Sequence, residues 1–251
     1  MAKRLLVCHG LNLKPAKMEP LSSIIEKLGF EKHNIILKGH NPSDSLDDFR
    51  SVSAEKWREE FLTAFSNPVL LPGPVAALTF SLGAACYLAA LGKLWHENSA
   101  NYREPDLHIL LAPALATHFW TYTTKMLSGL PRLVIPSASP KHYRCHWGTP
   151  VAAYSALFHF IEEIGKAAKL GFRLNNPVLL IINSKDELVS PTNSGKLLDI
   201  LTNGRYETLH INNVSGRIRP KYAHLVLDPD CLGEIQFQIV ADRIQSFVAM
   251  G

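Results

Sequence analysis

Val75-Ala-Ala-Leu-Thr-Phe-Ser81-Leu-Gly83-Ala84-Ala85 has the pattern of a buried strand that passes directly into a helix of small residues, with a serine at the junction. A serine on such a sharp turn projects its hydroxyl above the sheet, and the residues two before and two after it must be small. Gly83 and Ala84 meet that demand. Thr79, by contrast, stands where the G-x-S-x-G pattern of such turns has its first glycine, and it is larger than glycine. We interpret Ser81 as a candidate nucleophile, although a serine that only caps the helix fits the same local pattern.

On both sides of this junction, short apolar runs alternate with longer segments of helical periodicity. The predicted strands are Arg4–Cys8, Ile35–Leu37, Val75–Phe80, Leu107–Leu111, Pro177–Ile182 and Glu207–Ile211. The predicted helices are Pro20–Phe30, Ser45–Phe65, Ala84–His96, Val151–Leu170, Ser194–Leu201 and Cys231–Val248. A parallel crossover needs a connection long enough to cross the sheet, so this alternation predicts an α/β fold with a mostly parallel sheet covered by helices on both faces.

Composition, net charge and apolar runs limit the classes of protein to which this chain can belong. The chain has 251 residues, 47% hydrophobic and 19% charged, which suits one main core with a modest insertion. The formal net charge of +4 is spread along the sequence without a basic block, which argues against nucleic acid as a partner. The strongest candidate for a membrane span, residues 75–91, is broken by Thr79, Ser81 and Gly83, so no span is predicted.

The spacing of the cysteines and the N-terminal residues indicate the cellular compartment of the protein. The four cysteines lie far apart and form no C-x-x-C pair. The apolar run after Lys3 and Arg4 is too short for the centre of a secretory signal and has no cleavage site after it. These features favour a reducing, cytoplasmic location.

One interval interrupts the alternation. Residues 113–150 contain five prolines and several aromatic residues but no convincing long helix. An interval of this length inside an α/β core is more often a functional cover than a plain connection. We therefore predict a cap or lid over residues 113–150, inserted between a first part of the core, residues 1–112, and a second part, residues 151–251. Its aromatic residues Phe119, Trp120, Tyr122 and Trp147 would line an acyl pocket or simply pack on the core.

A serine hydroxyl is a weak nucleophile at neutral pH, so Ser81 requires a histidine base and a carboxylate that orients the base. Asp186 follows the most strand-like run, at the carboxyl end of the sheet where ligands bind in open α/β folds. His224 lies in the loop between the last strand and the final helix. Glu187 is a rival for the acid, and His210, inside the last strand, is a rival for the base.

The same chemistry requires hydrogen-bond donors for the negative oxygen that develops on the attacked carbonyl, and backbone amides can supply them. Leu82 directly follows Ser81 at a helix N-terminus, where the helix dipole adds partial positive charge. Leu11 follows His9-Gly10 at the end of the first strand, where the glycine lets the chain bend towards a pocket. A plain tight turn at residues 9–11 remains the alternative.

These elements together resemble the α/β-hydrolase superfamily, and the resemblance spans nearly the whole chain. In that family the order along the chain is a His-Gly loop, the serine turn, a cap, the acid and the histidine. The order is matched here by His9-Gly10, Ser81, residues 113–150, Asp186 and His224. The sequence is most similar to small serine esterases and to lysophospholipase-like or monoacylglycerol-lipase-like members. Thr79 is the departure from the family pattern.

The resemblance implies a serine hydrolase of the esterase and lipase type that cleaves a small-molecule acyl ester through an acyl-enzyme. Ser81, His224 and Asp186 would form its catalytic triad, and the amides of Leu11 and Leu82 its oxyanion hole, with no cofactor or metal required. Thioester, amide or carbon-carbon hydrolysis on the same triad, or a non-catalytic binding protein of the same fold, remain alternatives. The sequence leaves a homodimer open.

Two weaker signals favour structural interpretations. His142, Cys145 and His146 have the residue types of soft metal ligands but lack a matching second half, so we interpret them as cap surface. Ser194-Gly195-Lys196 lacks the earlier glycine of a phosphate-binding loop and is typical of an exposed helix start.

Overall fold

The computed structural model describes residues 1–98, 102–212, 215–217 and 222–250, apart from the side chains of residues 68, 70 and 119–122. Its strands are Lys3–Cys8 (β1), Phe30–Ile35 (β2), Val75–Phe80 (β3), Leu107–Leu111 (β4), Val134–Pro136 (β5), Gly148–Pro150 (β6), Val178–Asn183 (β7) and Glu207–Ile211 (β8). Six of them form one sheet in the order β2-β1-β3-β4-β7-β8, with every neighbouring pair parallel. The parallel sheet confirms the predicted fold class.

Helices cover both faces of this sheet. They are Glu19–Glu26 (α1), Leu46–Arg50 (α2), Ala54–Leu70 (α3), Leu82–His96 (α4), Val151–Lys169 (α5), Pro191–Thr202 (α6), Pro229–Leu232 (α7) and Glu234–Met250 (α8). Alternate residues of each central strand enter opposite cores: Leu6 and Cys8 of β1 pack with α3 to α6, whereas Leu5 and Val7 pack with α1 and α8. A strand buried on both faces is a nearly continuous apolar run, which is why β3 and β4 have the predicted bounds.

The predicted strand Ile35–Leu37 is wrong in position, because β2 occupies Phe30–Ile35 and stops where the prediction begins. This strand lies at the edge of the sheet and pairs only with β1. Its middle residues are polar and partly exposed, so the segment lacks the continuous apolar run by which buried strands are recognised. The helix predicted to run to Phe30 ends at Glu26, ahead of Gly29, whose φ is +87°.

Two predicted helices are each divided in the structure. The segment Ser45–Phe65 forms α2 and α3, because the side chain of Ser53 accepts a hydrogen bond from the Lys56 amide and caps the start of a second helix. The segment Cys231–Val248 forms α7 and α8, with Gly233 between them at a φ of 78°. A positive φ interrupts a right-handed helix and is readily adopted by glycine.

Residues 113–150 lie outside the main sheet. They contain a 3-10 helix, Phe119–Leu127, and the antiparallel pair β5 and β6. The isolated bridge between Leu13 and Arg144 joins this segment to the loop after β1, and the bridge between Thr117 and Val189 joins it to the loop after β7. Its role as a cap stays a prediction. Within the described ranges, no helix combines the length and the apolar character needed to cross a bilayer.

Candidate active site

Ser81 occupies the turn between β3 and α4 with φ 51° and ψ −113°, outside the backbone regions that non-glycine residues prefer. Backbone hydrogen bonds hold it there: its N–H donates to the Leu111 carbonyl at 3.0 Å, and its carbonyl accepts from the Ala114 amide at 3.1 Å. Such a conformation costs on the order of 1–3 kcal/mol and persists only where the surroundings enforce it. The strained serine at a strand-to-helix turn is the arrangement that the sequence pattern predicts.

The turn depends on a close approach between α4 and β1. A Cβ atom on Gly83 would lie 2.5 Å from the His9 carbonyl oxygen and 2.7 Å from that of Cys8. Thr79, by contrast, is accommodated within β3 and is 2% exposed, and its hydroxyl has no hydrogen-bond partner among the described residues. The requirement for a very small residue therefore falls on Gly83, two positions after Ser81, while the position two before it holds a threonine.

The structure brings together the three side chains singled out as a triad. The Nε2 atom of His224 lies 2.8 Å from Ser81 Oγ, and its Nδ1 atom lies 2.8 Å from Asp186 Oδ2. The other carboxylate oxygen of Asp186 accepts the amides of Leu188 and Val189, each at 2.8 Å. Because Asp186 only accepts, Nδ1 of His224 carries the proton, and Nε2 is left to accept the Ser81 hydroxyl.

The rival acid and base lie elsewhere. The Glu187 carboxylate accepts a hydrogen bond from the backbone amide of His224 at 2.9 Å and so holds the loop that carries His224. The ring of His224 is hydrogen-bonded to Asp186. His210 is exposed within β8, where it pairs in register with Ile182.

The environment of His224 makes its imidazole more basic than usual. Burial alone would lower its pKa, but the charge of Asp186, the hydrogen bond to Asp186 and the charge of Glu187 together raise the pKa above its usual value. The pKa of Glu187 is itself raised, chiefly by burial. An imidazole that is bonded to Asp186 and lies near the charge of Glu187 accepts a proton from a neighbouring hydroxyl more readily than an isolated buried imidazole would.

Two backbone amides beside Ser81 are free to bind a ligand. The amide of Leu82 is at the first position of α4, and that of Leu11 is in the loop after β1; neither donates a hydrogen bond to any acceptor in the described part of the chain. The Leu11 loop lies against the serine, since a Cβ on Gly10 would lie 3.2 Å from that of Ser81. Donors placed beside a reacting serine can stabilise negative charge on an attacked carbonyl oxygen.

A cavity of about 260 Å³ opens at Ser81 and His224. Most of its wall is apolar, and residues of the 113–150 segment contribute hydroxyl groups through Ser137, Ser139 and Thr149. The helix after that segment supplies Tyr154, Leu157 and Phe158. Of the aromatic residues predicted to line a pocket or pack on the core, Trp147 is 54% exposed and does not line the cavity. The side chains of Phe119, Trp120 and Tyr122 lie outside the described residues.

The residues that hold the Leu11 loop were not predicted from the sequence. His40 accepts the backbone amide of Asn12 through Nε2 at 2.9 Å, and His146 donates its amide to the Asn12 side chain at 2.8 Å. No periodicity links these positions, although asparagine directly after His-Gly-Leu is a signal for a left-handed turn. His146, one of the discounted metal-ligand types, instead points its Nε2 at the Gly39 carbonyl, and the described residues hold no group of three side chains suited to a metal ion.

The chain is similar to known proteins in its structure. No protein-family model and no curated protein matches the sequence. Among solved structures, the chain is similar to a metagenome-derived lipolytic enzyme of the pair LipS and LipT, with a TM-score of 0.75, 19% identity and coverage of 100% of this chain and 94% of the other.

Two further structures are similar over almost the same length. A soluble variant of monoglyceride lipase from Saccharomyces cerevisiae has a TM-score of 0.75 at 15% identity, over 99% of this chain and 88% of its own. Monoacylglycerol lipase from Paleococcus ferrophilus has a TM-score of 0.66 at 15% identity, over 97% and 94%. At such low identity the likeness concerns the fold. Together with the parallel sheet and the strained turn at Ser81, it shows that the chain has the α/β-hydrolase fold.

Proposed function

We propose that this protein is a serine hydrolase that cleaves a carboxylic ester of a small molecule through an acyl-enzyme. The observation that carries the proposal is the continuous hydrogen-bonded path from Ser81 through His224 to Asp186, with both links at 2.8 Å. A serine at a strained turn that only capped its helix would need neither partner. The solved structures of similar fold described above are named as lipases or lipolytic enzymes, which supports the same class of reaction.

In the acylation step, Ser81 Oγ attacks the ester carbonyl carbon while Nε2 of His224 removes the hydroxyl proton. The carbonyl π electrons move to the oxygen, and the amides of Leu11 and Leu82 bind the resulting oxyanion. Asp186 stabilises the imidazolium and keeps its proton on Nδ1. Collapse of the tetrahedral intermediate breaks the bond to the alcohol oxygen, which takes the proton from Nε2 and leaves.

Deacylation repeats the sequence with water. His224 removes a proton from a water molecule, the hydroxide attacks the acyl carbonyl, and Ser81 leaves after receiving the proton back. The wall of the cavity is mainly apolar, which suits the acyl part of a substrate, while the hydroxyl groups contributed by residues 137–149 suit a polar part. We include in the proposal that residues 113–150 act as the cap that shapes this cavity.

A fluorophosphonate probe and a panel of acyl esters test the proposal directly. We expect the wild type to be labelled and active, and Ser81→Ala to lose labelling together with turnover by a factor on the order of 10⁴ or more, since the nucleophile is removed. Ser194→Ala is the matched control, because Ser194 is also a buried serine but lies in α6 outside the site. Circular dichroism should show both variants folded.

The other outcomes identify the rival functions. Labelling that persists in Ser81→Ala would contradict the assignment of the nucleophile. A labelled wild type that cleaves thioesters or amides but none of the esters would support the proposed triad and show that the bond cleaved is not an ester. A folded wild type that no probe labels would favour a non-catalytic binding protein.

The compartment is a further part of the proposal. The four cysteines are free, and Cys8, Cys86 and Cys231 are buried. Buried free thiols suit a reducing compartment, and we propose that the protein acts in the cytoplasm.

A further inference from the structure

The loop that carries the Leu11 amide is a four-residue turn, Gly10 to Leu13, closed by a hydrogen bond from the Leu13 amide to the Gly10 carbonyl at 3.3 Å. Its third residue, Asn12, has a φ of 52°, a region that asparagine adopts more readily than most residues. Resting on the proposed function, we infer that Asn12 is a positioning residue: it fixes this turn and thereby aims the Leu11 amide at the oxyanion.

Asn12 is 3% exposed and uses every polar atom that it has. Its backbone amide donates to His40 Nε2 at 2.9 Å, and its carbonyl accepts the Cys145 amide at 3.0 Å. In the side chain, Oδ1 accepts the His146 amide at 2.8 Å, while Nδ2 donates to the carbonyls of His146 and Gly148 at 3.1 and 3.4 Å. The residue is therefore held from two sides, by the segment after β2 and by the segment that leads into β6.

The direction of the Leu11 amide follows from the planarity of the peptide bond. The Gly10 carbonyl and the Leu11 N–H belong to one trans peptide unit, so they point in opposite directions. The Gly10 carbonyl accepts from the Leu13 amide and from Nδ1 of His9, the latter at 2.9 Å. As long as Asn12 keeps Leu13 in place, the carbonyl faces the turn and the Leu11 N–H faces away from it.

The contacts of Asn12 also join the proposed cap to the oxyanion loop. Cys145, His146 and Gly148 all belong to residues 113–150, and the neighbouring Lys14 amide donates to the Tyr143 carbonyl at 2.8 Å. Removing the Asn12 side chain would break its three hydrogen bonds to this segment, keep the backbone bonds of Asn12 and Lys14, and leave Ser81, His224 and Asp186 unaltered. The effect should fall on the stabilisation of the transition state more than on substrate binding, because only the oxyanion needs the aligned amide.

The test uses Asn12→Gly, which retains the positive φ and both backbone hydrogen bonds but removes the side-chain contacts. Asn12→Ala removes the same contacts and is also strained at this φ. Thr202→Val is the matched control, because it deletes a buried side-chain hydrogen bond, 2.7 Å to the Leu198 carbonyl, in α6. For each variant, active sites are titrated with a fluorophosphonate, and kcat per active site, KM, Tm and the inhibition constant of a trifluoromethyl ketone are measured.

We expect kcat per active site to fall about 10- to 100-fold in Asn12→Gly, less than the loss of a whole oxyanion donor, with KM within about twofold. The inhibition constant of the trifluoromethyl ketone, which forms a tetrahedral adduct on the serine, should rise by the factor by which kcat/KM falls. Asn12→Ala should lose at least as much. Thr202→Val should lower Tm and leave kcat per active site unchanged, which separates positioning from stability.

A lower Tm with unchanged kcat per active site in Asn12→Gly, while Ser81→Ala is inactive, would overturn this inference and leave the proposed function standing. Failure of both Asn12 variants to fold would also overturn it, since the role would then be structural. A wild type without Ser81-dependent turnover would instead overturn the proposed function, and the inference with it.

Discussion

Glu187 is a charged residue that acts on His224 without belonging to the proposed triad. Its carboxylate accepts the His224 amide, and its charge contributes, after that of Asp186, to the raised pKa of His224. Only the neutral ring can accept the Ser81 proton, so activity should be lost as the pH falls through this pKa. Glu187→Gln keeps a hydrogen-bond acceptor and removes the charge. We expect the acid limb of kcat/KM to move to lower pH, with the plateau value changed by less than about threefold.

Measuring kcat/KM against pH for wild type and Glu187→Gln checks this prediction. Glu97→Gln is a suitable control, because Glu97 pairs with Lys93 at the exposed end of α4 and the same charge is lost there without contact to His224. An acid limb that stays in place, or that moves to higher pH, would show that the charge at position 187 does not act on the base.

At the scale of single elements, burial decides what could be predicted from the sequence. The central strands β3 and β4 match their predicted bounds because both faces are buried and all their residues except Thr79 and His108 are apolar. β2 lies at the edge with polar residues in its middle, so its position could not be predicted. Ser81 and Asp186 could be predicted to lie at one edge of the sheet because they follow β3 and β7. His224 was predicted from its loop between the last strand and the final helix and from the order of residues in the α/β-hydrolase superfamily. The contacts of Asn12 could not be predicted, because they join backbone groups of distant loops and leave no periodic pattern.

The packing of α4 against β1 gives a prediction about one element. Alanine at position 83 would place a methyl group 2.5 Å from a backbone carbonyl oxygen that cannot swing away as a side chain can. We expect Gly83→Ala to destabilise the protein by about 1–3 kcal/mol and to lower activity, because a displaced α4 moves both Ser81 and the Leu82 amide. Thermal unfolding and ester turnover measure the two effects.

Gly165 provides the comparison for that substitution. It lies within α5, and a Cβ atom there would meet nothing within 4 Å. Gly165→Ala should therefore raise the stability by about 0.5–1 kcal/mol, through helix propensity and the reduced freedom of the unfolded chain. Equal stability of the two alanine variants would argue against a close approach of α4 to β1.

Across the whole molecule, buried polar contacts tie the 113–150 segment to the core. The Tyr143 hydroxyl donates to the Asp228 carboxylate at 2.6 Å, Lys17 lies 3.3 Å from the same carboxylate, and the thiol of Cys231 donates to the Tyr143 oxygen at 3.1 Å. Together with the Asn12 contacts, these hydrogen bonds connect one wall of the cavity to the first loop and to the start of the last helices. The shape of the cavity thus depends on polar groups that are buried and must stay paired.

Two buried histidines, His9 and His40, should make the stability of the whole molecule sensitive to mild acid. Their rings lie 4.4 Å apart between centroids. Burial, opposed in part by the hydrogen bond to Gly10, lowers the pKa of His9 to about 4. Burial and the neighbouring His9 lower that of His40 as well. In the unfolded chain both pKa values return to about 6.5. Below that pH the unfolded state binds protons that the folded state cannot, so the free energy of unfolding should fall as the pH drops from about 6.5 to about 4.

For His9 the difference between 6.5 and about 4 corresponds to roughly 3 kcal/mol over that range. His224 does not make the free energy of unfolding depend on pH in that range, because a group whose pKa is raised on folding contributes its full stabilisation below its unfolded pKa. Denaturant unfolding of wild type and His9→Gln at a series of pH values measures the effect. The variant should be less stable at pH 7 but should lose less stability on acidification, whereas exposed His210→Gln should keep the wild-type slope. Parallel curves for wild type and His9→Gln would mean that His9 is not held neutral by burial, since carboxylates shared by both proteins would then account for the whole acid dependence.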